Sequence, residues 1–198
     1  MNLAWAGAAA AAALAATGCG VFANGEVSDM LVAEGGTIGQ ARSLMRQGDD
    51  AFDRGEFDNA ERLYRRSLEI VPDQPGVLNN LGNVLVEQGR YLDAEEVFKR
   101  AIVVDASRPE VFTNRGGLWL DAKWPREAIK HFDQALELDP RYLPALRGKA
   151  TANHVIGTVD ESYLGELRTA ILIEADPEWR RFFDLERLRV QQALQVDS

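Results

Sequence analysis

Few residues of this chain have side chains that perform catalysis or bind metal ions. Its 198 residues include one cysteine, Cys19, and two histidines, His131 and His154, which lie 23 positions apart. A cysteine-based zinc site needs at least two thiolates, and neither histidine has a carboxylate or thiol at ligand spacing. No glycine-rich phosphate-binding loop is present. The sequence therefore predicts a protein that is not an enzyme and has no cofactor, with His131 on its surface.

Asparagines recur at a spacing that suits peptide binding. Asn80 and Asn114 are 34 positions apart, and Asn79 and Asn83 lie beside the first of them. An asparagine amide both donates and accepts hydrogen bonds, so a column of such amides can bind the backbone of an extended peptide whatever its side chains. Because asparagine is a poor helix former, its repeated use favours a binding function.

Three acidic residues, Asp53, Glu87 and Asp121, repeat at the same spacing of 34. We call them the acidic column. It would favour a basic partner segment if it lies along a binding surface, although an ordinary solvated helix face explains it equally well. The net charge of −9 argues against general nucleic-acid binding, because a phosphate backbone attracts basic surfaces.

The 34-residue period extends to the small and apolar residues that must build the elements carrying these polar side chains. Five independent columns show it: Gly48, Gly82, Gly116 and Ala150; Ala60, Ala94, Ala128 and Ser162; Tyr64, Phe98 and Phe132; Leu44, Leu78, Phe112 and Leu146; and Ser67, Ala101, Ala135 and Thr169. Agreement of five columns on one period predicts a stack of similar units.

The order of small, small, aromatic, small and proline residues resembles the tetratricopeptide repeat over residues 41–176. The resemblance implies an all-α fold, an α-solenoid of about four helix-turn-helix repeats. Small residues such as Gly48 let the two helices approach closely, and aromatic residues such as Tyr64 fill the gap between repeats. The expected domains are repeats at 41–74, 75–108 and 109–142, a degenerate fourth repeat at 143–176 and a C-terminal capping helix at 177–195.

The resemblance also implies a concave groove lined by the first helix of each repeat, with Asp49 and Phe52 among its positions in repeat one. The residues singled out for peptide binding are Asn79, Asn80, Asn83, Asn114, Asp53, Glu87, Asp121 and Arg147. Family members that bind chaperone tails use basic groove residues as a carboxylate clamp. Asn79 and Pro144 occupy two of those positions here, so a chaperone-tail receptor is not expected.

The N-terminal residues resemble a targeting signal. Residues 3–16 contain only Ala, Leu, Trp and Gly, a stretch too short for a comfortable membrane span but suited to a secretory signal. The following Ala16-Thr17-Gly18-Cys19 resembles a bacterial lipobox, in which the cysteine is diacylated. We therefore expect a lipoprotein-type signal peptide over 1–18 and a lipid anchor at Cys19, followed by a flexible, glycine-interrupted linker over 19–40.

Two other interpretations of this segment stay open. Val21-Phe22-Ala23 has small residues at the spacing that ordinary signal peptidase uses, which would give a soluble exported protein. Alternatively, the alanine-rich segment remains uncleaved as an anchor.

The combined features predict a non-catalytic interaction scaffold in the periplasm, held at the outer membrane by lipidated Cys19. The combination resembles bacterial repeat lipoproteins of pilus and secretion systems, so the partner could be a secretin or another component of envelope assembly. The alternatives are a cytoplasmic or inner-membrane adaptor held by the uncleaved segment, and an accessory subunit that recruits a peptidoglycan-active enzyme.

Overall fold

The computed structural model describes residues 23–196, which form nine α-helices and no β-strand. The helices are α1 (Ala23–Asp53), α2 (Phe57–Ile70), α3 (Pro75–Glu87), α4 (Tyr91–Val104), α5 (Pro109–Asp121), α6 (Pro125–Leu138), α7 (Leu143–Ile156), α8 (Glu161–Ile173) and α9 (Pro177–Val196). Proline begins α3, α5, α6 and α9, where its fixed φ suits the first turn and its missing N–H is not needed. The prolines at 72 and 140 follow the ends of α2 and α6.

The chain divides into two units, Met1–Gly39 and Gln40–Ser198, and the division falls within α1. The signal peptide predicted over 1–18 and the lipid anchor predicted at Cys19 lie outside the described residues. Along the described part of the chain, every helix is too short or too polar to cross a membrane.

The sequence predicted a glycine-interrupted linker over residues 19–40. This prediction is wrong for residues 23–40, which are helical because α1 begins at Ala23. The prediction gave too much weight to the four glycines of this segment. A glycine in a helix costs only about 1 kcal/mol relative to alanine, and the residues between the glycines include good helix formers such as Glu, Met, Leu and Ala.

The described helices of Gln40–Ser198 form the predicted all-α solenoid. From α2 onwards each helix packs against the next, and α3 with α5 and α5 with α7 also contact one another. The segment 41–74 contains the end of α1 together with α2, and the three following 34-residue segments contain α3 with α4, α5 with α6 and α7 with α8. This arrangement brings the first helices of successive repeats side by side, which is what a groove along them requires.

A glycine of the first helix lies against an aromatic ring of the second helix in three repeats. A Cβ atom built on Gly116 would come within 2.6 Å of the Phe132 ring, so only glycine fits there. The same ring also lies against Gly148 of α7, so Phe132 joins the third repeat to the fourth. The three rings are 1% exposed or less, and the pairs are Gly48 with Tyr64, Gly82 with Phe98, and Gly116 with Phe132.

The fourth repeat replaces this contact with an ion pair. Ala150 occupies the glycine column, and Glu166 stands 34 positions after Phe132. Lys149 Nζ lies 2.5 Å from Glu166 Oε1 and 2.6 Å from Asp133 Oδ1. Burial raises the pKa of Glu166, although Lys149 acts in the opposite direction. A charged side chain thus takes the place of an apolar ring, which explains why the sequence pattern weakens here.

The last helix, α9, closes the stack through a buried carboxylate. Glu186 is 4% exposed, and its oxygens lie 2.7 Å from His154 Nδ1, 2.9 Å from Arg189 Nη2 and 3.2 Å from the Tyr163 hydroxyl. Phe183 of the same helix is fully buried. Phe183 packs in one cluster with Leu164 and Leu167 of α8, and Glu186 adds a polar attachment between α9 and the fourth repeat.

Candidate peptide-binding groove

Two adjoining cavities lie along the first helices of the repeats. The first cavity, of about 240 Å³, is lined by residues of α1, α2 and α3, including Asp49 and Tyr64. The second cavity, of about 390 Å³, extends across α3 and α5 to α7. Phe52 and Asn83 line both cavities, so the two form one continuous surface, which we call the groove.

Six of the eight predicted site residues line the groove. Asp53 and Asn80 line the first cavity, Asn83 lines both, and the second cavity adds Glu87, Asn114 and Asp121. Most of the polar residues that share the 34-residue period thus lie on one surface. Asn79 and Arg147 line neither cavity.

The asparagines bond to one another across the repeats. Asn114 Nδ2 donates to Asn79 Oδ1 at 2.9 Å, Asn79 Nδ2 donates to Asn80 Oδ1 at 3.4 Å, and Asn80 Nδ2 donates to Asp49 Oδ1 at 2.9 Å. Asn79 is only 7% exposed, and its hydrogen bonds hold the side chains of Asn80 and Asn114 in place. An amide has two N–H donors and an oxygen that accepts two bonds, so Asn80 and Asn114 retain capacity for a ligand.

Asp49 joins this network to the second helix of repeat one. Its Oδ1 also accepts the Tyr64 hydroxyl at 2.7 Å. Burial, followed by the nearby Asp49 carboxylate, raises the pKa of Tyr64, so its hydroxyl stays protonated as a donor. The sequence carries a signal for this contact, because Tyr64 has a hydroxyl where the equivalent rings at 98 and 132 are phenylalanines, and a buried hydroxyl needs a partner.

The acidic column gives the groove a negative charge. Asp53, Glu87 and Asp121 are exposed, and none of them forms an ion pair or hydrogen bond with another residue of the described chain. With Asp49, four carboxylates line the two cavities, and no described lysine or arginine does. These carboxylates are therefore available to a cationic ligand.

Arg147 does not line the groove but forms an ion pair within the packed helices. Its Nε and Nη2 atoms lie 2.8 Å and 2.6 Å from the two carboxylate oxygens of Glu174, and its guanidinium lies 5.1 Å from the centre of the Trp179 ring. Glu174 is 2% exposed, and a buried carboxylate needs such a partner. The position of Arg147 within its repeat predicted that it would line the groove. Instead its side chain pairs with a buried acid 27 residues later in the sequence.

The prediction that His131 lies on the surface is wrong. It is 6% exposed, its Nδ1 lies 2.9 Å from Gln134 Oε1, and burial lowers its pKa. Within residues 23–196, no group of histidine, cysteine, aspartate and glutamate side chains is arranged to hold a metal ion.

Residues 39–104 match a family model described as Tetratricopeptide repeat. No curated protein sequence matches the chain at a significant level. The structural similarities extend the match in fold beyond the family model, because they cover up to about four fifths of the chain.

Three solved structures illustrate the similarity. A thermophilic tetratricopeptide-repeat protein of Thermus thermophilus is 20% identical, with a TM-score of 0.63 over 78% of this chain and 87% of its own. The first repeat domain of Spaghetti (RPAP3), bound to the HSP90 peptide SRMEEVD, is 21% identical, with a TM-score of 0.56 over 60% of this chain and 94% of its own. A mutant O-GlcNAc transferase of Thermobaculum terrenum is 26% identical, with a TM-score of 0.60, over 75% of this chain but only 26% of its own.

Proposed function

Since the chain folds as a solenoid of tetratricopeptide repeats, generally a non-catalytic interaction scaffold, we propose that it binds an extended segment of a partner protein in the groove. The observation that carries the proposal is the groove itself, where unpaired carboxylates and partly free amides line one continuous surface. Amides at 80, 83 and 114 bind the backbone of the segment, and the carboxylates select its charge.

The charge of the groove favours a basic segment. The peptide bound by the Spaghetti domain, SRMEEVD, carries three acidic residues and one arginine. Four carboxylates would repel such a peptide, because like charges brought together at an interface cost binding energy. The partner segment of this chain is therefore of the opposite charge, which also argues against a chaperone-tail receptor.

Charge reversal on the groove is expected to weaken peptide binding at least tenfold. The test selects decapeptides from a random phage library on the full chain, then measures the affinity of the best binder by fluorescence anisotropy for the wild type and for Glu87→Lys/Asp121→Lys. The matched control, Glu69→Lys/Glu137→Lys, makes the same change in net charge at exposed positions of α2 and α6. The control should change the affinity less than twofold, and equal losses in both double variants would contradict the groove.

We further propose that the scaffold is exported and anchored by diacylated Cys19, as an outer-membrane lipoprotein facing the periplasm. The lipobox-like segment before Cys19 and the alanine-rich run preceding it support this location. In that compartment a partner in the assembly of a pilus or secretin system fits the resemblance to repeat lipoproteins.

Lipid anchoring predicts that Cys19 carries all incorporated fatty acid. In bacterial cells that express the full chain and are fed radiolabelled palmitate, the wild type should be labelled and Cys19→Ser should not be. Cys19 is the only cysteine, so the variant removes every thiol that could be acylated. An unlabelled wild type would favour the alternative of an adaptor held by an uncleaved N-terminal segment.

A further inference from the structure

We propose that the first cavity is an anchor site for a single arginine side chain of the bound segment, and that the residues following this arginine are apolar and occupy the second cavity. This inference rests on the proposed function of the groove and adds the sequence type of the ligand.

The walls of the first cavity suit a planar cation. Phe52, which is partly exposed, forms an aromatic wall, and an edge-to-face contact between Phe52 and Phe57, with ring centroids 5.6 Å apart, holds the Phe52 ring in place. A guanidinium stacks on aromatic faces and also forms paired hydrogen bonds with carboxylates. A volume of about 240 Å³ accommodates such a side chain.

Two hydrogen bonds hold the carboxylate of Asp49, which lines the first cavity. Both of its hydrogen bonds, from Tyr64 and from Asn80, end on Oδ1. No hydrogen bond to Oδ2 is present among the described residues, so this oxygen is free to accept one from a cation. The two existing bonds fix the carboxylate before a ligand arrives, which reduces the entropy lost on binding.

Asp53 supplies the second negative charge of the first cavity. It is exposed, and the described part of the chain gives it no ion-pair partner. Two carboxylates beside an aromatic wall bind a guanidinium better than a neutral amide of similar length, because only the cation gains from the charges. The cavity is therefore selective for charge as well as for shape.

The second cavity differs from the first in its apolar surface. Its apolar surface comes from Val86, Leu120 and Pro144, which are partly or fully exposed. Asn83, which lines both cavities, is placed to bind the peptide backbone where the segment passes from one to the other. An arginine in the first cavity thus directs the following apolar side chains into the second.

The test is an NMR titration of the full chain with two matched peptide pools. Each pool consists of acetylated, amidated tetrapeptides whose last three positions are randomised among Ala, Ser, Val and Leu, and the first position is Arg in one pool and Gln in the other. We expect the arginine pool to shift the side-chain amide signals of Asn80 and Asn83 and to bind at least tenfold more tightly than the glutamine pool. Asp53→Asn should lower this preference to about threefold or less, whereas Glu137→Gln on α6 should leave it unchanged.

The outcomes separate this inference from the proposed function. Equal binding of both pools in the groove would overturn the arginine anchor and leave peptide binding intact. An arginine preference that survives in Asp53→Asn and in Asp49→Asn would also overturn it, because the preference would then arise elsewhere. If neither pool shifts the amides of Asn83 and Asn114, both the anchor and the proposed groove are wrong.

Discussion

The variant Phe132→Ala is expected to lower the free energy of unfolding by about 3–5 kcal/mol, the usual cost of removing a buried aromatic ring. The ring is 1% exposed and packs between Gly116 of its own repeat and Gly148 of the next, so its loss opens a cavity at the contact of two repeats. Urea unfolding followed by circular dichroism measures the change. Trp124→Ala removes a ring that is 64% exposed in the same repeat and should cost less than about 1 kcal/mol.

Alanine substitutions at two adjacent glycines of α5 are expected to change stability in opposite directions, because only the first glycine contacts Phe132. Gly116→Ala places a methyl group against the Phe132 ring and should destabilise the protein by about 1–3 kcal/mol. Gly117→Ala meets nothing within 4 Å and should stabilise it by about 0.5–1 kcal/mol, because alanine loses less backbone entropy in a helix. A stabilising Gly116→Ala would show that the ring is not wedged between the helices.

The second large effect is expected at Glu186, the buried acid of α9. Glu186→Ala removes the shared carboxylate of Arg189, Tyr163 and His154, and losing the hydrogen bonds of this buried charged group costs about 1.5–3 kcal/mol. Because the loss falls on the last helix, hydrogen exchange should accelerate in α9 before it does in α3 or α5. Glu178→Ala, an exposed acid of the same helix, should change stability by less than about 1 kcal/mol.

The same network predicts an acid-sensitive last helix. Burial raises the pKa of Glu186, but hydrogen bonds from Arg189 and His154 outweigh it, so the pKa lies below its usual value. The ionised carboxylate therefore stabilises the fold above its unfolded pKa of about 4.3, and this contribution is lost as the pH falls through the lower folded value. Protection of α9 should decline there in the wild type, and a Glu186→Gln variant with an unchanged pH dependence in this range would contradict the assignment.

The regular features of this chain could be predicted from its sequence because each depends on neighbours in the repeat. The glycine and aromatic columns require close helix contact at a fixed spacing, and the structure has that contact at Gly48, Gly82 and Gly116. The period that predicts the helices also predicts which residues share a surface, so six of the eight proposed site residues line the groove. A translation of 34 positions carries a residue to the equivalent place in the next repeat, and sequence alone is enough to determine that.

The tertiary structure decided what each polar side chain does at its place. Arg147 and Asn79 occupy positions of the repeat that are expected in the groove. Arg147, however, pairs with buried Glu174, and Asn79 is buried and accepts a hydrogen bond from Asn114. These partners lie 27 and 35 positions away, and neither distance is the 34-residue period, so the repeat pattern does not predict the two contacts. A buried charge or amide takes whatever partner the packed chain brings near, because leaving it unpaired costs more than the bond contributes. The repeats thus determine where side chains stand, and packing between distant residues determines which of them remain available to a ligand.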